Sequence, residues 1–124
     1  MTEHDCVLCR ALQLENKTWI ASWDPFPVNI GHIKLIPRRH VFSPCELTTD
    51  EQLDFFDLLK KVIAYLTENL GKHKPDGYNV GINVGEAAGQ TIPHLHVHVI
   101  PRYEGDVPDP RGGVRNIKSS LVQW

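Results

Sequence analysis

The spacing of apolar residues along the chain is helical over one long stretch. From Thr48 onward, apolar side chains recur every three or four residues, and Thr48 with Glu51 has the form of a capping box. The pattern predicts one long amphipathic helix that ends near Gly71. Its apolar positions are Leu53, Phe56, Leu59, Val62, Ile63, Leu66 and Leu70.

Shorter apolar or alternating stretches predict four strands, at residues 18–24, 32–37, 78–84 and 94–100. In the third, Asn79, Gly81 and Asn83 share one polar, small face against which another group could lie. Short connections and a single helix indicate an α+β domain, built on an antiparallel sheet with one long central helix. We expect a single domain over 1–124, with a loop-rich tail at 101–124 that is ordered only by what it packs against.

Composition limits the classes of partner. The 124 residues are 41% hydrophobic, which is enough for one core, and the formal net charge is −2. Because that charge gives no basic field, we expect no binding to long nucleic acid. No stretch approaches the roughly 20 apolar residues that span a bilayer, and the N-terminus has no apolar leader, so we expect a cytoplasmic protein without membrane contact.

The cysteines, Cys6, Cys9 and Cys45, are odd in number. An odd count in a chain without a secretory signal argues against a disulfide framework. The Cys-x-x-Cys pair at 6 and 9 is a metal half-site or a redox pair, and ordinary packed thiols are the plain alternative.

Three histidines, His94, His96 and His98, alternate with apolar residues. In a strand they would lie on one face, with neighbours about 6.6 Å apart at the backbone. Either one imidazole is a nucleophile towards phosphorus, or a His-x-His pair binds a metal that activates water. The metal alternative usually needs a nearby carboxylate, and the first acid after these histidines is Glu104, beyond Pro101.

The motif at 94–100, together with "NVGEAAGQT" and "PVNIGHIKLIPRRHV", strongly resembles the histidine triad family of nucleotide hydrolases and transferases. The resemblance covers nearly the whole chain. It is greatest to the bacterial-type branch, which cleaves dinucleoside polyphosphates or nucleoside phosphoramidates. It implies that His96 attacks the α-phosphorus to form a nucleotidyl-histidine, and that His98 contacts phosphate or leaving group. The other substrate-binding positions it implies are Asn29, His32, Asn83, Gln90 and Thr91.

The resemblance also implies a structural zinc ion held by Cys6, Cys9, His40 and His94, no organic cofactor, an adenine nucleotide substrate and a homodimer. Two thiolates and two imidazoles close a tetrahedral zinc site with no open position for chemistry. The alternatives are a phosphoramidase of the same family, a metal-dependent hydrolase that uses His96 and His98 as ligands, and a zinc-bearing nucleotide-binding interaction module without turnover.

Overall fold

A computed structural model describes residues 12–118 and 122 of the chain. Its sheet has four antiparallel strands in the order β1-β2-β4-β3, and one long helix packs against it. The predicted α+β class with an antiparallel sheet is therefore confirmed. The strands are β1 (Trp19–Trp23), β2 (Ile33–Pro37), β3 (Gly77–Ile82) and β4 (Val97–Arg102), and the helix α1 is Thr49–Asn69.

The two faces of the sheet differ in chemistry because side chains alternate along each strand. One face packs against α1 and forms the core, which includes Trp19, Ile33, Leu35, Val97 and Val99 from the strands and Leu58, Val62 and Leu66 from the helix. The opposite face carries polar and titratable residues, His98 of β4 among them, so any chemistry of the triad takes place away from the helix.

The start of α1 is fixed by the predicted capping box. Thr48 Oγ1 accepts from the Glu51 amide at 3.2 Å, and Glu51 Oε1 accepts from the Thr48 amide at 2.9 Å. Arg39 donates to both oxygens of the same carboxylate, at 2.8 and 3.2 Å. These bonds lower the pKa of Glu51 to about 2. A single buried carboxylate thus ties the helix to the segment that follows β2.

Two details of the sequence pattern are wrong. Leu53 and Phe56 are 62% and 61% exposed, whereas Phe55 packs on Trp19 and Leu58 is fully buried. The first half of the helix has apolar residues on two faces, so the periodicity did not identify the buried face in that half, whereas the predicted positions from Leu59 onward do face the core. The strand expected from residue 94 begins at Val97, because the Leu95 amide donates to the Val41 carbonyl at 2.7 Å instead of joining the sheet.

The described part of the tail lies against the sheet. A short 3-10 turn, Gly113–Arg115, contacts β3. That the tail depends on its neighbours for order stays a prediction. Among the described residues, no helix has the length and apolar character needed to cross a membrane.

Candidate active site

Strand register brings the polar residues into rows across the sheet. His98 of β4 is paired with Lys34 of β2 on one side and with Gly81 of β3 on the other. A Cβ added at Gly81 would meet no described atom within 4 Å, so the space beside His98 is open on the β3 side. The small face that the sequence predicted on β3 therefore adjoins the triad.

His32 fixes the orientation of His98. The turn before it needs Gly31, which has φ +89° and packs so closely that a Cβ would lie 2.8 Å from Leu70 Cδ1. His32 Nδ1 accepts from the Val28 amide at 3.0 Å, so its proton is on Nε2, which donates to His98 Nδ1 at 2.9 Å. His98 in its neutral form therefore carries its proton on Nε2, the nitrogen that does not face His32.

Asp24 joins this pair, although nothing in the sequence pattern identified it. Its Oδ2 lies 3.5 Å from both His32 Nε2 and His98 Nδ1. Asp24 directly follows β1, whose residue Trp23 pairs with Ile33, the residue after His32. Asp24 and His32 are eight positions apart in the chain and come together because β1 pairs with β2 in this register. Only a correct alignment of the two strands could therefore have predicted their contact.

The three groups have the composition of a cation site, with possible ligand atoms within 4.8 Å of one another. The proton on His32 Nε2 argues against that use. A cation there would require His32 to lose either this proton or its bond from the Val28 amide. We therefore interpret Asp24, His32 and His98 as a hydrogen-bonded group that orients His98.

The pKa values of both imidazoles in this group are shifted in the same direction. Burial lowers the pKa of His32 and of His98, and the charge of Lys34 adds to the decrease in each case. Asp24 opposes the shift but does not cancel it. The neutral forms of His32 and His98 are thus favoured at neutral pH.

His96 lies beside this group and has one ring nitrogen without a hydrogen-bond partner among the described residues. Its Nδ1 donates to the His94 carbonyl at 3.0 Å, which leaves the lone pair on Nε2. Its ring centroid lies 5.1 Å from that of His98, with the rings nearly perpendicular. One oriented acceptor nitrogen next to one oriented N–H donor is an arrangement suited to nucleophilic attack and to a hydrogen bond that stabilises the departing oxygen.

His94 faces a different partner. Its Nε2 donates to the Pro37 carbonyl at 2.9 Å, and its Nδ1 lies 3.0 Å from Nδ1 of His40. Two imidazole ligands of one tetrahedral zinc ion have nitrogens about 3.3 Å apart, so the pair has the spacing a zinc site needs. A carbonyl on the other nitrogen is the usual support of a zinc-bound histidine. Cys6 and Cys9 lie outside the described residues.

The remaining predicted substrate-binding residues differ in whether they line the pocket beside the triad, bond the loop backbone or face solvent. Asn83 lines the same pocket as His32 and His98. The Gln90 side chain is buried and bonds backbone groups at 2.8 to 3.2 Å, namely the Gly85 amide and the Phe42 and Ile92 carbonyls. Thr91 is exposed beside it. In this structure Gln90 therefore shapes the loop, and its contact with phosphate stays a prediction.

Asn29 lies in an adjoining pocket. Its amide donates to the Pro101 carbonyl at 3.0 Å and to Asp106 Oδ2 at 2.9 Å. The loop at 85–90 also uses several of its own amides: those of Ala88 and Gln90 donate to the Gly85 carbonyl, and that of Gly89 to the Glu86 carbonyl. These three amides close the turn, so they are not available as donors to a phosphate. The ribose contact of Asn29 stays a prediction.

A pocket of about 380 Å³ beside His98 shows where a ligand could lie. Its polar lining comes from His32, His98, Asn79 and Asn83. Apolar side chains of the tail, Val114 and Ile117, also line it. The tail thus borders the site.

The HIT domain family profile matches residues 10–105. The chain belongs to this family. It is 36% identical over 109 residues to an uncharacterised HIT-like protein of Methanocaldococcus jannaschii, a match that covers 82% of this chain and 81% of that protein.

Two shorter matches carry enzyme names. The AP-4-A phosphorylase of Mycobacterium tuberculosis is 39% identical over 82 residues, covering 65% of this chain and 40% of the enzyme. The bis(5'-adenosyl)-triphosphatase of Saccharomyces cerevisiae is 38% identical over 79 residues, covering 63% and 37%. The chain thus matches well under half of each named enzyme.

A solved structure of a zinc-bound histidine triad family protein from Mycobacterium smegmatis has the same fold. It superposes with a TM-score of 0.64 at 32% identity, over 77% of this chain and 71% of that one.

Proposed function

We propose that this HIT protein hydrolyses or transfers nucleotidyl groups at the α-phosphate of dinucleoside polyphosphates, through a covalent nucleotidyl-histidine on His96. The observation that carries the proposal is the bond from His96 Nδ1 to the His94 carbonyl, which leaves Nε2 as a free nucleophile next to His98. The names of the two relatives that act on bis-adenosyl polyphosphates support the substrate class.

The two steps follow from the orientations of the imidazoles. The lone pair of His96 Nε2 forms a bond to the α-phosphorus, and the phosphorus–oxygen bond to the leaving group breaks with its electron pair. The departing oxygen leaves as a phosphate anion and accepts a hydrogen bond from His98 Nε2–H. In the second step water attacks phosphorus, the phosphorus–nitrogen bond breaks with its electron pair returning to His96 Nε2, and the proton lost by the water passes to solvent.

The proposal includes a structural zinc ion bound by Cys6, Cys9, His40 and His94. The 3.0 Å separation of the His40 and His94 nitrogens and the zinc-bound relative support it. Four such ligands would close the coordination shell, so the metal would stabilise the fold and take no part in the two steps. The proposal also includes a homodimer, an adenine nucleotide as substrate and no organic cofactor.

Substitution of the nucleophile tests the mechanism. His96→Ala should abolish turnover of diadenosine tetraphosphate while keeping affinity for AMP, because other residues bind the nucleotide. Loss of a covalent route costs many orders of magnitude in rate, so His98→Ala should be milder. His73→Ala, on the exposed turn after α1, is the matched control and should behave as the wild type.

The covalent intermediate can be trapped, and the change of configuration at phosphorus over the whole reaction can be measured. A reaction quenched in base should leave a nucleotidyl group on His96, since the phosphorus–nitrogen bond is labile in acid. Two displacements predict net retention at a chiral α-phosphorothioate. Inversion would mean that water attacks directly and would contradict the covalent route. Nucleotide affinity without turnover of polyphosphates or phosphoramidates would instead favour a binding module.

A further inference from the structure

Lys34 is a cation on the reactive face of the sheet that has no role so far. Its neighbours Ile33 and Leu35 are fully buried in the core, so alternation places Lys34 on the opposite face. The register pairs it with His98 of β4 and with Ser22 of β1. Lys34 therefore lies beside His98 on the side of β4 away from Gly81.

The side chain of Lys34 is partly buried, and its charge is unpaired within the described part of the chain. No carboxylate there lies within the 4.0 Å of an ion pair, and Asp24 is engaged with His32 and His98. Its charge also disfavours protonation of both imidazoles. An ammonium whose neighbours are neutral histidines has no counter-charge there, whereas an oxygen acceptor of a bound molecule would stabilise it.

We propose that Lys34 is a further substrate-binding residue, which binds an acceptor oxygen that the bound substrate presents beside His98. Adjacent strands lie about 4.8 Å apart, and the four-carbon stem of lysine lets the ammonium reach a group attached to a phosphate held by His96 and His98. The inference rests on the function proposed above.

Two parts of a dinucleotide carry such an oxygen. One is a phosphate beyond the α-phosphate. The other is a keto group of the base, which guanine has and adenine lacks. Ser22, the neighbour of Lys34 on β1, adds a hydroxyl to the same row. Both sources present the same chemistry to Lys34, so substrate comparison has to separate them.

The experiment compares Lys34→Met with the wild type on four substrates: diadenosine tetraphosphate, diadenosine triphosphate, adenosine 5'-phosphoramidate and guanosine 5'-phosphoramidate. If Lys34 binds a distal phosphate, kcat/KM should fall about tenfold or more for the two polyphosphates and stay unchanged for adenosine phosphoramidate. If it binds a keto oxygen, the loss should be confined to the guanosine substrate. Either selective loss, expressed mainly in KM, supports the proposal.

Controls separate binding from folding. Lys60→Met, on the exposed face of α1, should leave kcat/KM unchanged for all four substrates. Lys34→Arg should recover most of the kcat/KM that Lys34→Met loses selectively. Equal losses on all four substrates, or none, would overturn the proposal. If the wild type turns over none of them, the proposed function fails, and the affinities of AMP, ATP and GMP for the two proteins still test Lys34. Equal affinities in that case would overturn it.

Discussion

At the scale of single residues, two backbone groups determine which ring nitrogen carries the proton in His32 and in His94. The Val28 amide donates to His32, whereas the Pro37 carbonyl accepts from His94. The first contact puts the proton of His32 on Nε2, which donates to His98. The second puts the proton of His94 on Nε2 and leaves a lone pair on Nδ1, which faces His40. The histidine motif alone predicted three equivalent side chains on one face. The division between them depends on backbone groups that no side-chain pattern reports.

The titration of His32 and His98 gives a prediction at this scale. Burial is the largest cause of the decrease in both pKa values, so each should titrate below the usual 6.5 of histidine. The unfolded chain then binds more protons than the folded one as the pH falls below 6.5. Stability should therefore decrease over that range.

Long-range proton–nitrogen NMR spectra, recorded from pH 8 to pH 5, measure these midpoints and the tautomers directly. We expect Nε2–H for His32 and His98 and Nδ1–H for His96. Assignment uses His98→Gln, and the urea-unfolded chain provides the reference midpoint. A midpoint for His98 at or above that of the unfolded chain would contradict the prediction.

At the scale of elements, the sequence predicted what local chemistry determines. The capping box located the start of α1, and short apolar or alternating stretches identified the four strands of the sheet. Two features escaped because distant residues decide them. Leu95 bonds to Val41 and so delays β4, and Asp24 reaches His98 only through the pairing of β1 with β2. Tertiary contacts of this kind produce no repeating pattern of apolar and polar residues from which the sequence could reveal them.

Zinc binding is the prediction that belongs to this scale, because the metal would join the segment after β2 to the approach of β4 and to the N-terminal cysteines. We expect about one zinc per chain by elemental analysis of protein made in zinc-replete medium. Cys6→Ser should lose the metal and lower the thermal midpoint, since a structural site couples binding to folding.

The chain supplies a matched control for this test. Cys45 is an exposed free thiol on the turn before α1, and Cys45→Ser should keep both the metal and the midpoint. Zinc-free wild type would refute the ligand set. Equal zinc content in Cys6→Ser and Cys45→Ser would show that the metal is bound elsewhere.

At the scale of the whole molecule, β3 is an edge strand of the sheet that the described residues form, and an apolar surface adjoins it. Phe56 and Leu53 of α1 are 61% and 62% exposed, and Ile82 at the end of β3 is 38% exposed. Phe56 and Ile82 also line an apolar groove of about 420 Å³ that extends to Trp19 and Leu47. Exposed apolar groups beside an open strand edge are what an interface between two copies would cover.

The homodimer is therefore tested best at this surface. Light scattering of the wild type should give twice the chain mass of 14.1 kDa. Phe56→Glu should give the monomer, because a charge at the centre of an apolar interface costs about 2 kcal/mol or more. Phe26→Glu, at an 86% exposed position on the loop after β1, is the control and should stay dimeric. A wild-type mass of one chain at every concentration would exclude the dimer, and a dimeric Phe56→Glu would place its interface on another surface.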